Sequence, residues 1–180
     1  MIAYITDFIE NYCGKRRFKE TTYTNEEYDL PDGIFLFLRQ FPISTLTLAQ
    51  FFSGTLDTPS WTTFDVNSYQ LYGNEGYVKF FGGFEREASQ SRLLRFTYTA
   101  GFKIDFANPY TATHTLPHDL TMVATQLTAK IFKLRTSEGI KSESTEGQSI
   151  TYDKETDVDN QITFEQKGVL ENYKRQPFAF

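Results

Sequence analysis

The sequence changes its hydrophobic period twice, and this limits the folds open to it. Ile2, Ile5, Phe8, Ile9 and Tyr12 recur at spacings of three and four, the signature of one helix face. Leu120, Val123, Ala124, Leu127, Ile131 and Leu134 repeat that spacing far along the chain. Between them, from Phe18 to about Phe102, the period falls toward two and turn residues recur. Helix, β block, helix is therefore the expected order. The simplest arrangement packs the helices on each other, with the β block inserted between them.

The helix ends carry local signals. Gly14 is a plausible stop for the first helix. The basic run KRRFK at 15–19 reads as a solvated helix end, where the dipole favours cations. Pro117 suits the first turn of the long helix and Asp119 its positive end. Lys130, Lys133 and Arg135 gather near its end, and Gly139 stops it. Thr163 with Gln166 three residues on is a capping box for a last short helix, which runs through Leu170 and Tyr173 to about Lys174.

In the β block, Pro31-Asp32-Gly33, Gly73-Asn74-Glu75-Gly76 and Gly82-Gly83 read as turns. Strands are expected at 62–66, 69–73, 77–82 and 93–101. Further strands fall in IFLFLRQF and ISTLTLAQFF, where Ile43, Thr45, Thr47 and Ala49 alternate with Ser44, Leu46 and Leu48. The 18 Phe and 11 Tyr suit a small antiparallel sheet, sandwich or barrel. Most are expected in a core. Trp61, Tyr69, Tyr72 and Tyr77 could instead form a glycan- or peptide-binding face.

Known chemistries leave little trace. The chain lacks G-x-S-x-G, G-x-x-x-x-G-K-[ST] and strand-linked G-x-G-x-x-G motifs. His114 and His118 have H-x-x-x-H spacing, but Leu116-Pro117 lies between them and no third ligand is near beyond Asp119. Cys13, the only cysteine, permits no intrachain disulfide and fits a packing role. Catalytic residues, metal and cofactors are all expected to be absent. The net charge of −5 is ill suited to general nucleic-acid binding. No apolar run is long enough to span a bilayer, and the reading is of a soluble protein made in the cytoplasm.

Residues 137–153, SEGIKSESTEGQSITYD, leave the long helix, turn polar, then alternate again. Between 141 and 165 stand seven acidic residues (Glu143, Glu146, Asp153, Glu155, Asp157, Asp159 and Glu165) against Lys141 and Lys154. Such a segment is solvated and self-repelling. Beyond Pro177, Phe178 and Phe180 form an apolar tail, either a docking peptide or a frayed end.

Taken in order, LPHDLTMVATQLTAKIFKLRTSEGIKSES, then Gly147, Ser149 and Tyr152 as G-x-S-x-x-Y, then LENYKR, resemble the tailed-bacteriophage head–tail connector proteins, also called adaptor or head-completion proteins. FIENYCGKRRFKETTYTNEEYD followed by LFLRQFPI resembles the variant carrying a β insertion. Two departures stand out: such proteins usually carry more helix before the position of Ile2, and the inserted region is their variable part.

The resemblance implies an α+β fold. A small helical bundle of N-terminal, long central and short C-terminal helices would comprise 1–17 and 116–175, with a protruding arm at 140–158. The inserted antiparallel β domain would be 18–102 and the tail 176–180. The implied role is a non-catalytic virion neck protein, an adaptor that forms a dodecameric ring on the portal protein, extends the DNA channel and seats the stopper or tail. The free chain could be monomeric, the site is the virion neck after assembly in the host cytoplasm, and no membrane is involved. Lys141, Ser142, Glu143, Ser144, Gly147, Ser149 and Tyr152 would form the subunit-interface arm. Folding back as a hairpin on its own domain is the other option for this segment. Glu143, Glu146, Asp153, Glu155 and Asp157 would face the channel, where DNA passes without specific binding. Tyr173, Arg175, Pro177, Phe178 and Phe180 would dock the portal. A head-closure stopper of the same neck and a β-rich glycan or peptide recognition module are the alternatives.

Overall fold

The computed structural model of the chain describes residues 2–55, 58–82, 93–105, 107–108, 113–136, 142–145, 148–151 and 162–174, with backbone alone over 134–136, 142–145 and 148–151. Helices and antiparallel sheets together make an α+β fold. The chain divides into two units: Met1–Lys15 with Leu116–Phe180, and Arg16–Thr115.

The second unit holds seven strands: β1 (Thr21–Tyr28), β2 (Phe35–Phe37), β3 (Ile43–Phe52), β4 (Trp61–Thr63), β5 (Tyr69–Tyr72), β6 (Tyr77–Phe80) and β7 (Leu94–Ala100). They pair as a four-stranded sheet in the order β1-β7-β3-β4 and a three-stranded sheet in the order β2-β6-β5. One apolar cluster takes residues from both, including Phe96, Tyr98 and Leu94 from the first and Leu36, Val78 and Phe80 from the second. β7 is central, and its alternation is complete: Leu94, Phe96, Tyr98 and Ala100 are fully buried while the residues between them are not.

The neighbours of β7 do not keep that simple alternation. Against it, β3 slips between Ile43 and Thr45 and again between Leu46 and Leu48. An extra residue in one strand shifts every later side chain to the other face. The residues opposite the buried positions of β7 are therefore Ile43, Leu46, Ala49 and Phe51, and not the Ile43, Thr45, Thr47, Ala49 set that strict alternation predicts. β1 bulges likewise between Tyr23 and Glu26, with Asn25 in the left-handed region at φ 54°. This bulge sets Glu26 opposite buried Phe96.

Two other expectations need correction. The strand expected at 62–66 is Trp61–Thr63, and Val66–Ser68 form a 3-10 turn. The Asp65 carboxylate accepts the Asn67 N–H, which offers the backbone a turn in place of the ladder. Arg16, read as part of a solvated helix end, is buried. Its Nε and an Nη donate to the Phe41 carbonyl at 3.0 and 2.8 Å, and its guanidinium lies 3.5 Å from the Phe41 ring centre, with Phe18 and Phe102 also beside it. A guanidinium is weakly hydrated and stacks on aromatic faces, so burial is tolerated here where an ammonium would suffer more.

Gly101 closes this unit. At φ 111° it brings its backbone against β1's lead-in, where an added Cβ would lie 2.7 Å from the Lys19 carbonyl oxygen. That approach permits the bonds from Phe102 N to Phe18 O and from Glu20 N to Phe102 O.

The first unit holds α1 (Ile2–Tyr12), α2 (His118–Thr136), the hairpin β8 (Ser142–Thr145) and β9 (Gln148–Thr151), and α3 (Phe164–Glu171). α2 contacts both α1 and α3. Ile5, Ile9 and Cys13 of the first segment are buried, as are Leu120, Val123 and Leu127 of α2 and Leu170 of α3. Ile2, expected on the same face, is 71% exposed. Gly14, at φ 80°, follows the last helical turn. The capping box of α3 is complete: Gln166 N donates to Thr163 Oγ1 and Thr163 N to Gln166 Oε1. Gln166 also donates to the Gln126 side chain of α2 at 2.8 Å, so one residue both caps its helix and ties it to a neighbour. The stop expected at Gly139 lies outside the described residues.

Candidate functional site

The expected site residues divide sharply. Lys141, Glu146, Gly147, Tyr152, Asp153, Glu155, Asp157, Arg175, Pro177, Phe178 and Phe180 lie outside the described residues. Ser142, Glu143, Ser144 and Ser149 are placed by their backbone. Ser142 pairs with Thr151, Glu143 with Ile150, Ser144 with Ser149 and Thr145 with Gln148. The polar stretch read as an arm therefore contains a strand of its own, β8, which pairs with the expected β9. A two-stranded ribbon alone is at best marginal in water, because little apolar surface offsets its ordering.

Tyr173 is the one expected tail residue that the structure places in full. Its hydroxyl donates to Asp119 Oδ1 at 2.6 Å, which fixes the turn after α3 to the start of α2. The same carboxylate accepts the Leu120 N–H. Beside it, Tyr12 donates to Glu171 at 2.9 Å, and the Lys174 ammonium sits 2.6 Å from that carboxylate and 4.0 Å from the Tyr12 ring centre. The Lys174 ammonium and then the Tyr12 hydroxyl hold the Glu171 carboxyl below its usual range. Tyr12 is also one wall of a cleft of about 370 Å³ along α1, whose described lining is Tyr4, Asp7, Phe8, Asn11 and Tyr12. Sequence periodicity missed this cleft because it assigned Phe8 and Tyr12 to the buried stripe. The available signal was Tyr4-Phe8-Tyr12, an aromatic stripe at a spacing of four beside the aliphatic one.

In the β unit, the β1 bulge creates a polar centre. Glu26 Oε2 accepts the Tyr28 and Tyr98 hydroxyls, both at 2.5 Å, and its other oxygen is 2.9 Å from an Arg39 nitrogen. The two hydroxyls lie 3.0 Å apart, and Tyr28 accepts the Arg39 backbone N–H. Burial pushes the Glu26 carboxyl up, but the tyrosine hydroxyls and Arg39 outweigh it and hold the group below its usual range. Burial, with the adjoining Glu26 carboxylate, pushes both tyrosines far above theirs; the Tyr28 hydroxyl adds to the rise at Tyr98, while the Tyr98 hydroxyl works against it at Tyr28. Such a network orients β1, β7 and the Arg39 segment. It contains no nucleophile of lowered pKa.

The aromatic residues considered for recognition do not share a face. Tyr72 and Tyr77 stack at 4.6 Å between ring centres, and Phe35 and Phe37 flank Tyr77. Tyr69 turns to the core beside Phe64 and Phe80. Trp61 packs against Phe52 in the other sheet, under the Arg95 guanidinium at 4.2 Å. His114 Nδ1 accepts the Asp105 N–H, and His118 opens α2. Among the described residues no group of three or more His, Cys, Asp and Glu could hold a metal. No described helix is long and apolar enough to cross a membrane. Buried Cys13 directs its thiol at the Leu170 carbonyl, 3.6 Å away.

No family model matches the sequence, and no curated protein matches it. Solved structures do match. A chain of the neck of the empty gene transfer agent particle, computed with C6 symmetry, has a TM-score of 0.54 at 13% identity, over 99% of this chain and 77% of its own. A chain of the neck of the native particle, computed with C12 symmetry, has a TM-score of 0.57 at 14% identity, over 99% of this chain and 81% of its own. A chain of the native gene transfer agent virion has a TM-score of 0.51 at 14% identity, over 99% and 76%. Helices, β block and hairpin together thus have the fold of a chain from a phage-like particle neck, in agreement with the resemblance to head–tail connector proteins.

Proposed function

We propose that this protein is a structural component of a virion neck, a head–tail connector adaptor that assembles as a ring on the portal protein. The observation that carries the reading is the fold likeness, which extends over 99% of the chain, to chains of particle necks computed with C6 and C12 symmetry. A ring requires heterologous contact, one face of a subunit against a different face of the next. The β8–β9 hairpin suits that role, since open strand edges can add to a neighbour's backbone. In this reading Lys141, Ser142, Glu143, Ser144, Gly147, Ser149 and Tyr152 form the intersubunit arm. Glu143, Glu146, Asp153, Glu155 and Asp157 give the channel a charge that repels phosphate, so DNA slides without counterion-releasing contacts. Arg175, Pro177, Phe178 and Phe180 dock the portal, while Tyr173 anchors the segment's root on α2. The helices 1–17 and 116–175 are the adaptor core, and 18–102 the inserted domain.

The test is the native mass of the protein, alone and mixed with its cognate portal ring. One copy per portal subunit is the expected stoichiometry. Absence of association at every salt concentration would overturn the adaptor reading. Tight, salt-sensitive DNA binding by the isolated chain would contradict the channel assignment. Binding to a stopper or tail protein with none to portal would favour the head-closure role. The Tyr72–Tyr77 pair with Phe35 and Phe37 supports a second reading, a peptide- or glycan-binding sheet face, and only within the three-stranded sheet.

A further inference from the structure

A second face of α2 points away from its packed stripe. Opposite buried Leu120, Val123 and Leu127, the residues Met122, Thr125, Ala129 and Phe132 recur at spacings of three, four and three. All four are exposed, Met122 by 52% and Phe132 by 57%. The face is more apolar than its composition. Thr125 Oγ1 donates to the Thr121 carbonyl at 2.8 Å, and Thr121 Oγ1 to the Pro117 carbonyl at 3.3 Å. A threonine bonded back to its own helix offers a neighbour mainly its methyl group. Large side chains at the ends and small ones between them leave a shallow saddle about 15 Å long.

α1 has the complementary shape. Tyr4, Phe8 and Tyr12 step along it by about one turn each, a ridge about 12 Å long. The Phe8 and Tyr12 ring centres are 6.5 Å apart, and Tyr4 is 55% exposed. Charge agrees with shape. Asp7 borders the ridge, on a helix with no basic residue. Lys130 and Lys133 border the saddle, on a helix with no acidic residue after Asp119. Two α2 faces set together would oppose lysines, and two α1 faces would oppose aspartates. The pairing that avoids like charge joins α2 to α1. Within one chain these helices already pack through their other faces, so ridge and saddle can meet only between copies.

We infer that a second copy of this chain covers the outer face of α2: the Tyr4–Phe8–Tyr12 ridge of one copy packs into the Met122–Phe132 saddle of the next, with Asp7 beside Lys130 and Lys133. Ridge and saddle are different surfaces, so the contact is heterologous, and its repetition gives a ring or a filament. The contact deepens the ring reading and rests on it only for closure. The side chains involved are far fewer than the roughly 20–30 residues a side of a stable interface. The contact alone is therefore weak, and the portal or further contacts add to it.

Cross-linking of the full-length chain tests it. Cys13 is buried, so an introduced surface thiol is the reactive one. Asn11→Cys lies beside the ridge and Ala129→Cys in the saddle. A short bismaleimide should join these two single variants when they are mixed, and join neither to itself. The double variant should give a ladder beyond the dimer. Asp7→Lys in the first variant should cut the mixed product about 3-fold, and Lys130→Glu with Lys133→Glu in the second should restore it, with helical circular dichroism unchanged. Self-linked dimers of a single variant, no mixed product at any concentration or on the portal ring, or a yield indifferent to Asp7→Lys overturns the inference. Preferential linkage of Ala129→Cys to Phe164→Cys also overturns it, because the saddle would then belong to α3, whose Phe164 is 92% exposed. Native mass is read in parallel. A portal-bound ring without the linkage sinks this contact and keeps the neck reading. A ladder from a chain that ignores portal keeps the contact and sinks the neck reading.

Discussion

Replacing Glu26 by Ala tests whether the β1 bulge builds a stabilising centre. Two tyrosine hydroxyls donate to this carboxylate at 2.5 Å, and both tyrosines are buried, Tyr98 completely. After the replacement one hydroxyl can still donate to the other across their 3.0 Å separation, so one buried donor is orphaned. An orphaned buried donor costs about 1–3 kcal/mol, and each lost hydrogen bond to a charged group about 1.5–3 kcal/mol, offset by relief of the carboxylate's desolvation. Arg39, 57% exposed, adds little. The net expectation is roughly 3 kcal/mol, measured by urea denaturation with Glu75→Ala in the exposed β5–β6 turn as control. The pH dependence supplies a second readout. Because the folded Glu26 carboxyl is held below its unfolded value, its contribution is present above that value of about 4.5 and is lost as pH falls through the lower folded value. Glu26→Ala should therefore flatten the acid limb of the stability curve. A loss below about 0.5 kcal/mol with an unchanged acid limb would refute the reasoning.

Gly101→Ala should destabilise the β unit by roughly 3 kcal/mol, because a side chain is strained at φ 111° and its Cβ meets the Lys19 carbonyl; thermal denaturation checks it. Thr163→Ala should cost about 1 kcal/mol and fray the start of α3, read as faster amide exchange at Gln166 and Lys167. Raised tyrosine values mean that the contribution of Tyr28 and Tyr98 is present below pH 10 and lost as pH rises above it; Tyr98→Phe should weaken that alkaline transition, followed by tyrosinate absorbance.

The sequence by itself determined what depends on neighbours along the chain. The extent of α1, the capping box of α3 and the alternation of β7 follow from residues within a turn or two of one another. The order of motifs was enough to point to the connector fold, although no single motif is specific. Only the tertiary structure decided the rest. The bulges of β1 and β3 arise against β7, and they turn Glu26 and Leu46 toward positions that period-two counting assigns otherwise. Arg16 is buried because Phe41, distant in sequence, supplies both a carbonyl and a ring. The α1 cleft depends on which of two adjacent stripes α2 and α3 cover, and a helical period shows both stripes without saying which is used. Period and capping are encoded locally, where each residue meets its own backbone. Register, burial of charge and the choice of a covered face are settled by partners that the linear order places far away.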